Sequence, residues 1–253
     1  MKKIIAFDQD DTLNVTKLPI DPIMAKTLLK LLDKYEICII SGTNWEVMRK
    51  NDIDTLTGAT SEQLKKIHVM PTTGTQYWRY DEGVGDWEQK YAHFLTDEQV
   101  QKVTALLEKG MKEFGYWCEN PAGEIIENRL SQITMSALGQ WATPEDKHAW
   151  DPDSSKRKQV IASIENEINE MGLEVHYGGA TSIDVTMPGI DKAYGMRQLM
   201  KATGCTQEEI LFIGDKLQEG GNDYPVRAMG IDWIEVTNWK ECIYVLQGIL
   251  AVS

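Results

Sequence analysis

Three short, unbroken apolar runs set the first limit on this chain. They are the segment 3–7 (KIIAF), "EICIIS" at 36–41 and "IHVMP" at 67–71, with helical spacing between them. A strand with one wet face alternates apolar and polar residues; a strand that is apolar throughout needs cover on both faces. Residues 21–33 (DPIMAKTLLKLLD) supply one such cover. The spacing predicts a helix there, with Asp21 as N-cap and Pro22 in the first turn. "TNWEVMRKN" predicts another. The expectation is an α/β protein with a Rossmann-like parallel sheet.

The middle of the chain reads differently. Residues 96–112 predict an amphipathic helix capped by Thr96, and 154–170 a second helix. Between and after them, 123–138 ("GEIIENRLSQITMSAL"), "LEVHYGG" and "TSIDVTMPG" read as antiparallel strands. The α/β pattern returns after Gly189: a helix over 191–203, strands "EILFIGD" and "IDWIEV", and a last helix over 238–249. This predicts a discontinuous core, 1–82 and 188–253, with an inserted α+β domain at 83–187.

The formal net charge of −13 disfavours a nucleic-acid partner. None of the four cysteines forms a metal-type or redox pair, which fits a reducing cytoplasm. The apolar run after Met1-Lys2-Lys3 stops at Asp8, too short for a signal peptide, and no segment reaches membrane-spanning length.

Ligands of an open parallel sheet bind outside the carboxyl ends of its strands. "FDQDDTL" places Asp8 and Asp10 after the first strand. Ser41, Gly42 and Thr43 follow the second, Lys192 opens a helix, and Asp215 and Asp223 bracket the glycine-rich "GDKLQEGGND". Carboxylates from two loops suit Mg²⁺, a hard cation that prefers oxygen. An amine, a hydroxyl and backbone amides suit phosphoryl oxygens. Asp8 is the candidate nucleophile and Asp10 the candidate proton carrier. The expected metal set is Asp8, Asp10, Asp215 and Asp223. No chemistry falls to Asp11.

These residues resemble the four motifs of the haloacid dehalogenase superfamily. "DQDDT" is similar to its DxDx(T/V) motif, and the insert resembles a type IIB cap. Within the superfamily the chain looks most like the eukaryotic-type phosphomannomutases. "IGDKLQEGGND", "IIENRLSQITMSALG" and "GLEVHYGGATSIDVTMPGIDKAYGMR" carry that resemblance. It implies Mg²⁺-dependent chemistry on hexose phosphates through an aspartyl-phosphate, with a homodimer formed through the cap. It also implies substrate contacts at Arg129, Ser182 and Asp184. Where the family has three further arginines, this sequence has Gln140, Lys147 and Lys17. Asp11 stands where those mutases have glycine. A mutase must hold a bisphosphorylated sugar, and lysine lacks arginine's bidentate fork. The sequence alone therefore leans to a sugar-phosphate phosphatase, with phosphomannomutase as the alternative.

Overall fold

The structure is a computed structural model and describes residues 1–252. Its elements divide between two compact units, residues 1–92 with 190–252 and residues 93–189.

The first unit opens with β1 (Ile4–Asp8), α1 (Pro22–Leu32), β2 (Glu36–Ile40), α2 (Trp45–Asn51), α3 (Ser61–Leu64) and β3 (Ile67–Met70). A hairpin follows, β4 (Gln76–Asp81) and β5 (Asp86–Ala92). The second unit contains α4 (Asp97–Glu113), β6 (Ile126–Asn128), β7 (Gln132–Ser136), α5 (Pro144–Trp150), α6 (Ser155–Glu170), β8 (Glu174–Tyr177) and β9 (Ser182–Thr186). The chain then returns to the first unit through α7 (Lys192–Thr203), β10 (Ile210–Gly214), α8 (Tyr224–Ala228), β11 (Asp232–Glu235) and α9 (Trp239–Val252).

The first unit is built on a sheet of order β11-β10-β1-β2-β3-β4-β5. Its first five strands in that order are parallel; β4 and β5 are antiparallel additions. The unbroken apolar runs are explained by cover on both faces. Ile5, Phe7, Ile37 and Ile39 pack with Met24 and Leu28 of α1, Met48 of α2 and Leu246 of α9. Ile4, Ala6, Cys38 and Ile40 pack with Met196 and Leu199 of α7 and Val226 of α8. The anticipated caps are formed: the Asp21 carboxylate accepts the Ile23 N–H at 2.8 Å, and Thr96 and Gln99 form a capping box on α4.

One boundary differs from the sequence expectation of 82/83. The hairpin of β4 and β5 extends the core sheet, so the second unit begins at His93. Alternation along a hairpin does not reveal which sheet it joins. The indole stack of Trp45 on Trp78, centroids 4.2 Å apart, ties this hairpin to α2.

The second unit has its own sheet, antiparallel, of order β6-β7-β9-β8. Ile133 and Met135 of β7 and Ile183 and Val185 of β9 pack against Val103 and Leu107 of α4 and Val160 and Ile164 of α6. Period-2 geometry puts Gln132, Thr134, Ser136, Ser182, Asp184 and Thr186 on the other face. No helix among the described residues is long and apolar enough to cross a membrane.

Candidate active site

Side-chain alternation aims the first carboxylate. Ile4, Ala6 and Asp8 share the face of β1 that α7 covers, and Asp8 is 5% exposed. Lys192 is the first residue of α7. Asp191 caps that helix by accepting the Tyr194 N–H at 2.6 Å. The buried Lys192 ammonium pairs with Asp8 Oδ1 and, at 2.5 Å, with Asp223 Oδ1.

Asp223 is fully buried after the glycine-rich turn. Its Oδ2 accepts the Lys216 N–H at 3.1 Å, and its own N–H donates to the Lys216 carbonyl at 3.2 Å. Gly221 makes that turn possible. A Cβ there would lie 2.0 Å from the Lys216 carbonyl oxygen. Asp215 follows β10 directly, with half-exposed Lys216 at 3.3 Å from its Oδ2. Oxygens of Asp8, Asp215 and Asp223 all lie within 4.8 Å of one another.

The electrostatics of this cluster are unbalanced: two ammoniums, buried Lys192 and half-exposed Lys216, face three carboxylates. Burial pushes the Asp8 carboxyl up to about 7, against the pull of Lys192 and with Asp223 adding to the rise. Burial likewise raises Asp215, opposed by Lys216. Burial alone would lower the Lys192 ammonium. Asp8 and Asp223 reverse that and hold it above its ordinary value. Asp215 Oδ1 is buried with no hydrogen-bond partner. An orphaned oxygen within an all-oxygen trio of excess negative charge fits a hard divalent cation.

Asp10 stands apart from that trio. It sits in the loop after β1 and its carboxylate accepts the Lys17 N–H at 3.0 Å. Asp11 has a left-handed backbone, φ 62°, a conformation that glycine adopts more readily than aspartate. Its carboxylate takes the Thr16 hydroxyl at 3.0 Å, so its work is to tie the loop. Lys17 also has positive φ, 64°, and its carbonyl accepts from Asn51 at 3.0 Å.

Ser41 is buried just past β2, and its Oγ accepts the Thr43 N–H at 3.1 Å. The Ser41 and Thr43 carbonyls accept the N–H groups of Thr73 (2.8 Å) and Thr72 (2.9 Å). Ser41, Gly42 and Thr43 therefore form a loop braced by the turn after β3.

In the second unit, Ser182 and Asp184 share a face of β9 as their spacing requires. Asp184 Oδ1 accepts the Thr134 hydroxyl at 2.7 Å, and Ser182 Oγ lies 3.3 Å from Ser136 Oγ. Burial raises the Asp184 carboxyl, and Arg129 opposes the rise. Arg129 pairs with Glu127 at 2.9 Å. The Lys147 ammonium donates to the Gln140 carbonyl at 3.0 Å, and burial lowers its pKa. Arg157 of α6 went unnoticed in the sequence. It pairs with buried Asp151 at 2.7 Å and donates to the Gly179 carbonyl, pinning the hairpin that leads to Ser182.

The sequence profile described as eukaryotic phosphomannomutase matches residues 24–234. The chain belongs to that family. The phosphomannomutase of Schizosaccharomyces pombe is 26% identical, covering 99% of this chain and 95% of its own length, so that alignment takes in Asp8 and Asp10. The Saccharomyces cerevisiae phosphomannomutase is also 26% identical, covering 88% of this chain and 84% of its own. Human phosphomannomutase 1 is 26% identical over 88% of this chain and 82% of its own. Two solved structures show the fold. Plasmodium falciparum IMP-nucleotidase superposes with TM-score 0.72 at 19% identity, covering 100% of this chain and 63% of that one. A haloacid dehalogenase-like hydrolase from Bacteroides thetaiotaomicron gives TM-score 0.66 at 16% identity, covering 98% and 100%. The fold is thus that of the haloacid dehalogenase superfamily, a Rossmann-like core with an α+β cap.

Proposed function

We propose that this chain is a Mg²⁺-dependent phosphohexomutase that interconverts mannose 1-phosphate and mannose 6-phosphate. The observation that carries the phosphoryl-transfer part is the convergence of Lys192 on Asp8 and Asp223 beside the orphaned Asp215 oxygen. Membership of the phosphomannomutase family favours the mutase outcome over the phosphatase to which the arginine replacements lean.

In this reading Asp8 is the nucleophile. Its carboxylate attacks phosphorus in line, displacing the sugar oxygen and leaving a phosphoryl group on Asp8. Asp10, held toward the loop by the Lys17 N–H, gives a proton to the departing oxygen and removes one from the hydroxyl that next attacks. Lys192 offsets the charge of Asp8 in its buried site and then that of the transferred group. The Ser41 hydroxyl and the amides of Gly42 and Thr43 hold the remaining phosphoryl oxygens. Mg²⁺ held by Asp8, Asp215 and Asp223 would neutralise the excess negative charge and polarise the phosphoryl group. Arg129, Lys147, Gln140, Ser182 and Asp184 of the second unit are the substrate contacts this reading assigns there, and Lys17 is the one it assigns to the first unit.

The phosphatase reading keeps specific support in Gln140, Lys147 and Lys17, where the resemblance places arginines. One assay separates the two. Mannose 1-phosphate and glucose 1-phosphate are each supplied with Mg²⁺, with and without a trace of the hexose bisphosphate, and followed by phosphorus NMR. Conversion to the 6-phosphate that depends on bisphosphate is expected. Release of inorganic phosphate alone overturns the mutase.

A further inference from the structure

Asp52 is completely buried at the end of α2, and no step above uses it. Each of its carboxyl oxygens takes an amide N–H, from Gln9 Nε2 at 2.8 Å and from Asn14 Nδ2 at 3.3 Å. Gln9 lies between Asp8 and Asp10 in sequence. Asn14 forms an isolated bridge with Asp10. The turn between them is closed by the Leu13 and Asn14 N–H groups on the Gln9 carbonyl, at 2.8 and 3.4 Å. Asp52 therefore grips both ends of the loop that carries the nucleophile and the proton carrier.

The surroundings say what kind of grip it is. Gln9 Oε1 and Asn14 Oδ1 are buried and have no hydrogen-bond partner. Which way an amide points is decided by its network. Turning one amide over lets a neutral Asp52 donate its O–H to the amide oxygen, while its other oxygen still accepts the second amide. The turned NH2 then takes the place the oxygen held, so the flip exchanges one unpaired group for another, and the clamp closes with Asp52 in either form. Burial favours the neutral acid, raising the Asp52 carboxyl well above its ordinary value.

We propose that Asp52 is a positioning residue, a buried hydrogen-bonded clamp that fixes the Gln9–Asn14 loop so that Asp8 and Asp10 hold reactive geometry. This rests on the phosphoryl-transfer reading above. Asparagine is isosteric with the neutral acid and likewise offers one donor side and one acceptor side. Alanine offers neither.

The test compares Asp52→Asn and Asp52→Ala, each shown folded by near-ultraviolet circular dichroism. Turnover of hexose phosphate is measured together with amide exchange of the peptide spanning 8–17. Asp52→Ala is expected to lose about 30- to 100-fold in kcat with KM within about twofold, and to exchange faster in that peptide alone. Asp52→Asn is expected to stay within about threefold of wild type with unchanged exchange. A folded Asp52→Ala with wild-type kcat and loop exchange overturns the proposal, as does equal impairment of both variants. Should Asp52→Ala not fold, Gln9→Leu removes one arm of the clamp and leaves the other. Unchanged kcat and exchange there also overturn the proposal. A wild-type protein inert on every hexose phosphate refutes the activity reading instead, and loop exchange then judges Asp52 by itself.

Discussion

Gly74 and Gly195 pack backbone against backbone: a Cβ on Gly74 would lie 2.5 Å from Gly195 Cα. Gly195 lies almost one helical turn beyond Lys192 on α7, and Gly74 lies in the turn that braces the Ser41 loop. The contact sets how deeply α7 seats, and hence whether the Lys192 ammonium reaches Asp8. Gly74 also has φ +84°, so alanine there meets both strain and immovable backbone. Gly74→Ala is expected to cost about 2–4 kcal/mol. At Gly195 the nearest obstacle is the flexible end of Ile40, 2.2 Å away, and alanine gains helix propensity. Gly195→Ala should therefore cost only about 1 kcal/mol. Urea unfolding checks the order; equal midpoints would contradict it.

Metal binding should stabilise the protein more as the pH rises. The folded value of Asp8, about 7, lies above its ordinary 3.8. Between those values the folded metal-free protein holds a proton that the unfolded chain releases. Its stability therefore falls as pH climbs through that window. A cation needs the carboxylates ionised, so its advantage grows over the same range. Thermal melts at pH 5, 6, 7 and 8, with Mg²⁺ or with chelator, should show a widening gap in Tm. A gap independent of pH would contradict the assignment of Asp8 to the metal.

Much of this architecture was legible in the sequence because its causes are local. Unbroken apolar strands, Asp21 and Thr96 as caps and polar residues at strand ends each write a short pattern. Asp8, Lys192, Asp215 and Asp223, which the structure brings together, stood out in the sequence as polar residues at strand ends and helix starts. Other features depend on contacts distant in sequence. Asp52 meets Gln9 across 43 positions, and nothing around "KNDID" distinguishes a buried clamp from a solvated helix end. Asp10 was expected among the metal carboxylates, since alternation with Asp8 holds only while the chain stays extended. The loop turns after Asp8, and the Lys17 N–H takes the Asp10 carboxylate instead. The hairpin of β4 and β5 was placed with the insert because pairing to β3 leaves no mark on its own residues.

A buried histidine makes the core sensitive to acid. His68 lies on β3 with Nε2 2.6 Å from Glu36 Oε2 and Nδ1 2.7 Å from the Tyr77 hydroxyl. Burial lowers its pKa from 6.5 to about 4, despite the opposing pull of Glu36. The unfolded chain takes up a proton below 6.5 that the folded protein refuses until about 4. Stability is thus whole above 6.5 and drains across that window, by on the order of 3 kcal/mol. Glu36, held below its ordinary value by its hydrogen bond to His68, adds a loss of the same sign at lower pH. Denaturant unfolding from pH 7.5 to 4.5 should show this decline. In His68→Gln the slope between 6.5 and 4.5 should flatten even though the variant starts less stable.

The cap offers a direct test of what separates a mutase from a phosphatase here. Arg129 already spends hydrogen bonding on Glu127 at 2.9 Å, and Lys147 donates to the Gln140 carbonyl at 3.0 Å. Burial lowers the Lys147 pKa from its ordinary value. Gln140 stands where the resemblance to phosphomannomutases places an arginine. Gln140→Arg would add a permanent charge and a fork suited to a second phosphate. We expect tighter binding of hexose 1,6-bisphosphate by about tenfold, close to 1.4 kcal/mol, and a smaller share of turnovers ending in free phosphate. Calorimetric titration of an Asp8→Asn background measures the first, and phosphorus NMR of the active enzyme the second. Gln140→Met, which changes the side chain without adding charge, is the control and should move neither. If Gln140→Arg leaves bisphosphate affinity where it was, position 140 does not meet the second phosphate, and Gln140 no longer supports the lean toward hydrolysis.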